Sequence, residues 1–354
     1  MSTERVASRP DGPGHAPRSV LPRTTRSRLL GLAALLLVAG GAVVLSLGLG
    51  AQTLSPGEVW RALFSPDGGD AAVIVRDLRV PRTVLGIIVG LALGTAGALI
   101  QGHTANPLAD PGLLGVSAGA SAAVVAGISF FGVNVLTGYI WFAFAGAAAA
   151  GLVVFVIASG GRVGATPVTL ALAGAAISAF LGSLTSMVLI DDEASLNAYR
   201  FWVVGSLTGR GMDVALEILP FVAIGLLLAL LNAPALNALG LGEDVARALG
   251  IRVGLARAVG LVAVVLLAGA ATAACGPIAF LGLVVPHGAR LLTGPDHRWL
   301  VPYAAVLGVV LLLVSDVIGR VVASPGELSV GIVLAFVGAP VFIVIIRRWR
   351  VIRL

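Results

Sequence analysis

The sequence predicts an all-α, polytopic membrane protein with about ten transmembrane helices, and three observations carry that prediction. Only 11% of its residues are charged and 58% are hydrophobic, whereas a soluble domain carries roughly a quarter charged residues. Apolar runs of about 18 residues or more, long enough to cross a hydrocarbon layer roughly 30 Å thick, recur from end to end. The arginines sit scattered at the ends of those runs rather than clustered with aromatic residues.

Residues 1–28 hold six arginines among Pro, Ser and Gly with no apolar run, and read as a disordered basic tail. The next run, 29–50, is too long for a signal-peptide core and no small-residue cleavage site follows it, so it reads as the first span. Further spans are expected over 83–101, 113–131, 139–159, 167–190 and 214–231. A charged insert over 239–252 interrupts the series. Spans over 255–273, 277–292, 300–319 and 329–346 complete it, and 349–354 form a short basic tail. The third and eighth are short and broken by Gly and Pro. Gly90-x-x-x-Gly94 and Gly115-x-x-x-Gly119 predict close helix packing, since small residues let backbones approach where lipid offers no hydrophobic drive.

An even number of spans puts both termini on one side. With that side inside, 16 of the 23 arginines fall on inner segments. The outer segments hold Arg61, Arg76, Arg79, Arg82, Arg200, Arg210 and Arg320. The positive-inside rule therefore predicts cytoplasmic termini in a multi-pass protein of the cytoplasmic (inner) membrane.

Composition also excludes chemistry. All 23 basic residues are arginine. Without lysine the chain cannot build a P-loop or a lysine Schiff base, so if ATP drives this protein another chain hydrolyses it. Cys275 is the lone cysteine and reads as a small buried hydrophobe. No catalytic set, metal cluster or nucleic-acid-binding pattern emerges, and His103, His287 and His297 read as ordinary residues of inner loops.

The insert LGLGEDVARALGIRVG (239–254) is the one charged helix expected between spans. Gly242 precedes Glu243 and Asp244, acids placed where a helix dipole favours them. Glu243 and Arg247 stand four apart in the favourable order, and Gly250 supplies a stop. Val245, Ala248 and Leu249 make an apolar stripe. A helix of about seven residues is unstable alone and needs a partner surface. It is either a loop helix joining two spans or a docking knob for a cytoplasmic protein.

Several long blocks then carry a family likeness: LRVPRTVLGIIVGLALGTAGALIQ (78–101), NPLADPGLLGVSAGAS (106–121), FWVVGSL (201–207), the insert, GPIAFLGLVVPHGARLLTGPDHR (276–298) and GELSVGIVLAFVGAPVFI (326–343). From about residue 29 to 348 the chain resembles the FecCD permeases of ferric-siderophore and vitamin B12 ATP-binding-cassette importers. That resemblance implies ten helices per subunit and a dimer, with a copy or a relative as the second permease. It also implies ATPase subunits that bind ATP and Mg on the cytoplasmic face, an exported binding protein outside, and no cofactor in this chain. It places Gly242, Glu243, Asp244, Ala246, Arg247 and Gly250 on the coupling helix. Arg79, Arg82 and Arg320 match arginines that meet acids on the binding protein, and are expected as exposed residues on the outer face. Asp316, four residues before Arg320 on the same helix, is an alternative partner for it.

The breaks at Asn106-Pro107 and Asp110-Pro111 predict a rigid turn back into the membrane. The family places the fifth span at the central path, which nominates Ser178, Ser183, Thr185 and Ser186, although serines bonding within the bundle explain them equally. The function implied is import of an iron(III)-siderophore complex by alternating access, with vitamin B12 or haem as the alternative cargo. An ion-coupled secondary transporter is the rival class. It calls for ionisable groups at mid-membrane, where these spans carry almost none.

Overall fold

The computed structural model describes residues 24–65, 68–133, 136–160 and 166–349. Most of the expected N-terminal tail, Arg162 and residues 350–354 lie outside the described residues. Among the described residues the chain is helical throughout, with no strand. The helices are α1 (Thr25–Gly48), α2 (Pro56–Phe64), α3 (Asp70–Val73), α4 (Val80–His103), α5 (Val116–Phe131), α6 (Leu136–Ser159), α7 (Pro167–Asp191), α8 (Glu193–Val203), α9 (Met212–Leu239), α10 (Glu243–Ala248), α11 (Val253–Cys275), α12 (Leu281–Thr293), α13 (His297–Val322) and α14 (Val330–Trp349).

Each expected span coincides with one helix. Among the described residues seven helical runs are long and apolar enough to cross a membrane, while α5, α12 and the apolar part of α14 are shorter. The differences fall where Gly, Pro or buried polar groups override hydropathy. α5 begins at Val116 rather than 113, because Pro111–Leu114 form a 3-10 turn that ends at Gly115 with φ 74°. Gly115 is thus a turn residue and not half of a packing motif. α12 begins at Leu281 rather than 277, after Phe280 in the left-handed region with φ 66°. The second span continues backward through a six-residue π-helical turn, Ile74–Arg79, to Asp70. Arg28, expected in the tail, lies in the first turn of α1 and reaches Asp296 Oδ2 at 3.3 Å, with Thr24 capping the helix.

α4 is the centre of the bundle. Of its 24 residues 19 are buried, against α13, α11, α9 and α12. The packing is backbone to backbone. A Cβ on Gly94 would stand 2.2 Å from the Ala304 carbonyl oxygen, and one on Gly97 1.9 Å from that of Gly282. With no hydrophobic drive between helices in lipid, such close approach supplies the van der Waals contact that holds them. α7 is the opposite case: few of its residues are buried, and Leu172, Phe180, Met187 and Ile190 are exposed.

Gly97→Ala should therefore destabilise the protein by about 1–3 kcal/mol, the usual range for overpacking. Gly40→Ala should not, because nothing lies within 4 Å of the added methyl. Thermal unfolding in detergent measures both.

Candidate functional site

Polar side chains gather at the two ends of the bundle. At one end α10 stands between α9 and α11. Gly242 and Gly250 bracket it with φ of 103° and 82°, conformations that strain any residue with a side chain. Glu243 Oε2 accepts from Arg247 at 2.8 Å and Asp244 Oδ1 from the same guanidinium at 3.1 Å, so the expected four-residue pair is present. The other Glu243 oxygen accepts from Arg257 on α11, a tie that joins the short helix to the next span. Ala246 points inward, fully buried beside Ala238 and Val253. Leu241, Val245 and Leu249 are exposed and present an apolar face away from the bundle.

Polar groups behind α10 brace the same end. His103, at the end of α4, meets Asn232 of α9 at 2.9 Å, and Asn232 also donates to the Ala256 carbonyl of α11 at 3.1 Å. Asn237 bonds the backbone and ring of His297 and donates to Asp296 at 2.7 Å. The three histidines expected in loops belong to helices: His103 closes α4, His287 lies within α12 and His297 opens α13. His103 and His287 are buried. Asn106 and Asp110 fold the intervening turn by accepting from Leu108 N at 2.9 Å and Gly112 N at 2.8 Å.

The opposite end holds the three nominated arginines, and here the structure corrects the expectation of exposed side chains. Arg79, Arg82 and Arg320 are 5%, 8% and 2% exposed. Arg79 donates to the carbonyls of Leu47, Gly48 and Gln52. Arg82 forks onto Asp316 at 3.0 and 2.8 Å and reaches Glu327 at 2.7 Å. Arg320 pairs with Asp316 at 3.1 Å and donates to the Ser46 carbonyl and hydroxyl at 3.0 Å. The cause is desolvation: a charge at the edge of a membrane bundle that cannot reach water must find a counter-charge or carbonyls. Burial alone raises the Glu327 carboxyl, but its hydrogen bond to Arg82 and the charge of that guanidinium outweigh it and hold it below the usual carboxylate range.

The four path candidates on α7 divide. Ser183 and Ser186 are exposed and Ser178 is half-buried, whereas Thr185 is buried and returns its hydroxyl to the Leu181 carbonyl at 2.8 Å. Gly182, Ala175 and Ala179 are exposed with the two outward serines, so α7 presents small residues beside a bulky strip of Leu172, Phe180 and Met187. Sequence reasoning missed Glu327, Thr208, Ser46 and Arg257. Glu327 and Ser46 meet the arginines, and Thr208 meets Glu327, only through folding, with Arg82 and Glu327 245 positions apart. Arg257 lies 14 positions from Glu243 and on the next helix, beyond the break at Gly250.

The fold is thus a bundle of apolar helices with a tethered ionic helix at one end and a buried arginine cluster at the other. The chain belongs to the FecCD transport family, whose profile matches residues 35–348. It is 46% identical to the ferric enterobactin transport system permease FepD of Escherichia coli, over 91% of this chain and 96% of that one. It is 39% identical to the cobalamin import system permease BtuC of Halobacterium salinarum, over 78% of this chain and 74% of the relative. A solved chain described as an inward-facing conformation of a metal-chelate type ABC transporter superposes with a TM-score of 0.79 at 27% identity, covering 91% of this chain and 99% of that one.

Asp316→Ala should leave two buried guanidiniums without their shared carboxylate, at a cost of about 3–5 kcal/mol. Asp244→Asn, on a fully exposed side chain, should leave the unfolding midpoint unchanged. A detergent melt of the two variants makes the comparison.

Proposed function

We propose that this chain is the membrane-spanning permease subunit of an ATP-driven importer that carries an iron(III)-siderophore complex into the cytoplasm. The α10 end faces the cytoplasm, as the arginine distribution favours. The observation that carries the reading is α10 itself. It is a six-residue ionic helix whose apolar face is exposed at Leu241, Val245 and Leu249 and whose back is fixed at Ala246 and Arg257. A helix this short transmits displacement only if both sides are held. One side is held by the bundle, and a cytoplasmic ATPase subunit holds the other.

Alternating access follows as rigid movement of packed helices once α10 is pushed. The tie from Glu243 to Arg257 carries that push to α11, which packs on α4. A second permease subunit covers the exposed side of α7, and the small residues of that helix, with Ser183 and Ser186, border the path. At the far end Arg79, Arg82 and Arg320 form the receptor for an acidic exported binding protein, acting from within a crevice rather than from a protruding surface. The similarity to the enterobactin permease favours a ferric siderophore, and the similarity to the cobalamin permease supports a corrinoid as the second reading. Uptake of labelled ferric siderophores, cobalamin and haem by strains with and without the gene decides between them. Loss of no uptake at all would overturn both.

Replacing Glu243 and Arg257 together by Ala should lower ATP-dependent uptake by about tenfold or more, the scale of an ordinary coupling energy. Basal ATP hydrolysis by the partner should persist. Paired uptake and phosphate-release assays on the assembled complex read the two separately.

A further inference from the structure

The arginine end encloses a crevice of about 180 Å³ lined by Gly50, Gln52, Arg79, Arg82, Arg320 and Glu327. Its charges do not balance. Three guanidiniums share two carboxylates, and the hydrogen bonds of Arg79 go to backbone carbonyls alone. The Nε of Arg320 is buried and has no hydrogen-bond partner among the described residues. The site is built for more negative charge than the two resident acids provide.

Those acids are not equivalent. The Asp316 side chain is 0% exposed and gripped from two sides by Arg82 and Arg320. Glu327 is 30% exposed, sits on the segment between α13 and α14, and is held by Arg82 at 2.7 Å and the Thr208 hydroxyl at 3.1 Å. Opening a fully buried ion pair strands a charge away from water, whereas Glu327 already touches solvent and regains hydration when it lets go, and Arg82 keeps Asp316. Only Glu327 can leave at low cost.

We propose that Glu327 is a resident carboxylate that fills the crevice in the undocked protein. An acidic side chain of the exported binding protein replaces it on Arg82 and satisfies Arg79 as well. This rests on the docking reading above and adds a competitor to it. The exchange also frees the contact between Thr208 and Glu327. That contact links the segment before α9 to the segment before α14, so the approach of the partner loosens the outer end of the bundle.

The test measures binding of the exported protein encoded beside this gene to the complete permease–ATPase complex in lipid nanodiscs. Glu327→Gln keeps the shape and the Thr208 contact but removes the competing charge. It should bind roughly tenfold tighter at low salt, the effect of one added unit charge at close range in a partly solvated site. The gain should shrink as ionic strength rises and the Debye length falls. Equal or weaker binding, with an unchanged unfolding midpoint, overturns the resident-carboxylate proposal and leaves docking intact. Absence of binding by the wild-type complex overturns the docking reading itself. Should Glu327→Gln fail to assemble, Thr208→Val releases the same carboxylate from its anchor. That variant should bind a few-fold tighter, and unchanged or weaker binding again overturns the proposal.

Discussion

The close approach of α4 to its neighbours is the constraint on which both ends of this molecule depend. Glycines at 94 and 97 let its backbone touch α13 and α12 with no side chain between them. A helix seated this way cannot rotate or slide without colliding with carbonyl groups, because packed interfaces have discrete rather than continuous arrangements. From Arg82 to His103 the helix rises about 31 Å at 1.5 Å per residue, close to the thickness of the hydrocarbon layer. Arg82 closes the ionic cluster at one end, and His103 meets Asn232 beneath α10 at the other. One end of α4 thus lies in the arginine cluster and the other among the polar groups that brace α9 and α11, the two helices on which α10 packs.

Charge is placed to agree with that mechanical role. Between the ends α4 carries no ionisable side chain, since everything from Thr83 to Ile100 is apolar, glycine or threonine. At the crevice end each cation is matched by acids or by backbone carbonyls drawn from α1, α13 and two connecting segments. At the α10 end the ionic ties are shorter in sequence, and the two made by Arg247 are more exposed. Exposed pairs contribute about 0–1 kcal/mol each, so they orient a surface rather than hold a fold. Buried pairs are costly to break and fix geometry. The molecule has a stiff ionic lock on one side and a soft ionic handle on the other.

The long helices were legible in the sequence because hydropathy over about 18 residues is a strong signal, which seven helical runs among the described residues supply. The insert was legible for the reverse reason, a cluster of charge with helical spacing in an apolar chain, and its Glu243–Arg247 pair stands as the spacing implies. Burial of the arginines was not legible. An arginine at the end of an apolar run looks solvent-facing, and the acids that bury it lie 234 and 245 positions away. Only the local partner of Arg320, Asp316 on the preceding turn, could be seen in advance. The same limit applies to Ala246, whose inward direction depends on Ala238 and Val253. It applies to α7 too, where spacing could not separate the inward Thr185 from the outward Ser183 and Ser186.

The arrangement around Asp316 also bears on where the driving energy enters. An ion-coupled carrier needs an acidic group that exchanges partners as the protein alternates, set near the middle of the membrane. Asp316 lies toward the end of α13 and is held simultaneously by Arg82 from α4 and by Arg320 from its own helix. To release a cation-driven step it would have to abandon two guanidiniums in a place without water, and no approaching ion of single charge replaces both. A carboxylate so held belongs to the scaffold. The groups able to change partners at low cost are the partly exposed ones, Glu327 at one end and Glu243 at the other. Both lie at surfaces where another protein can reach them. On the function proposed above, energy enters this bundle through contact with other chains, and the membrane interior carries the displacement between them.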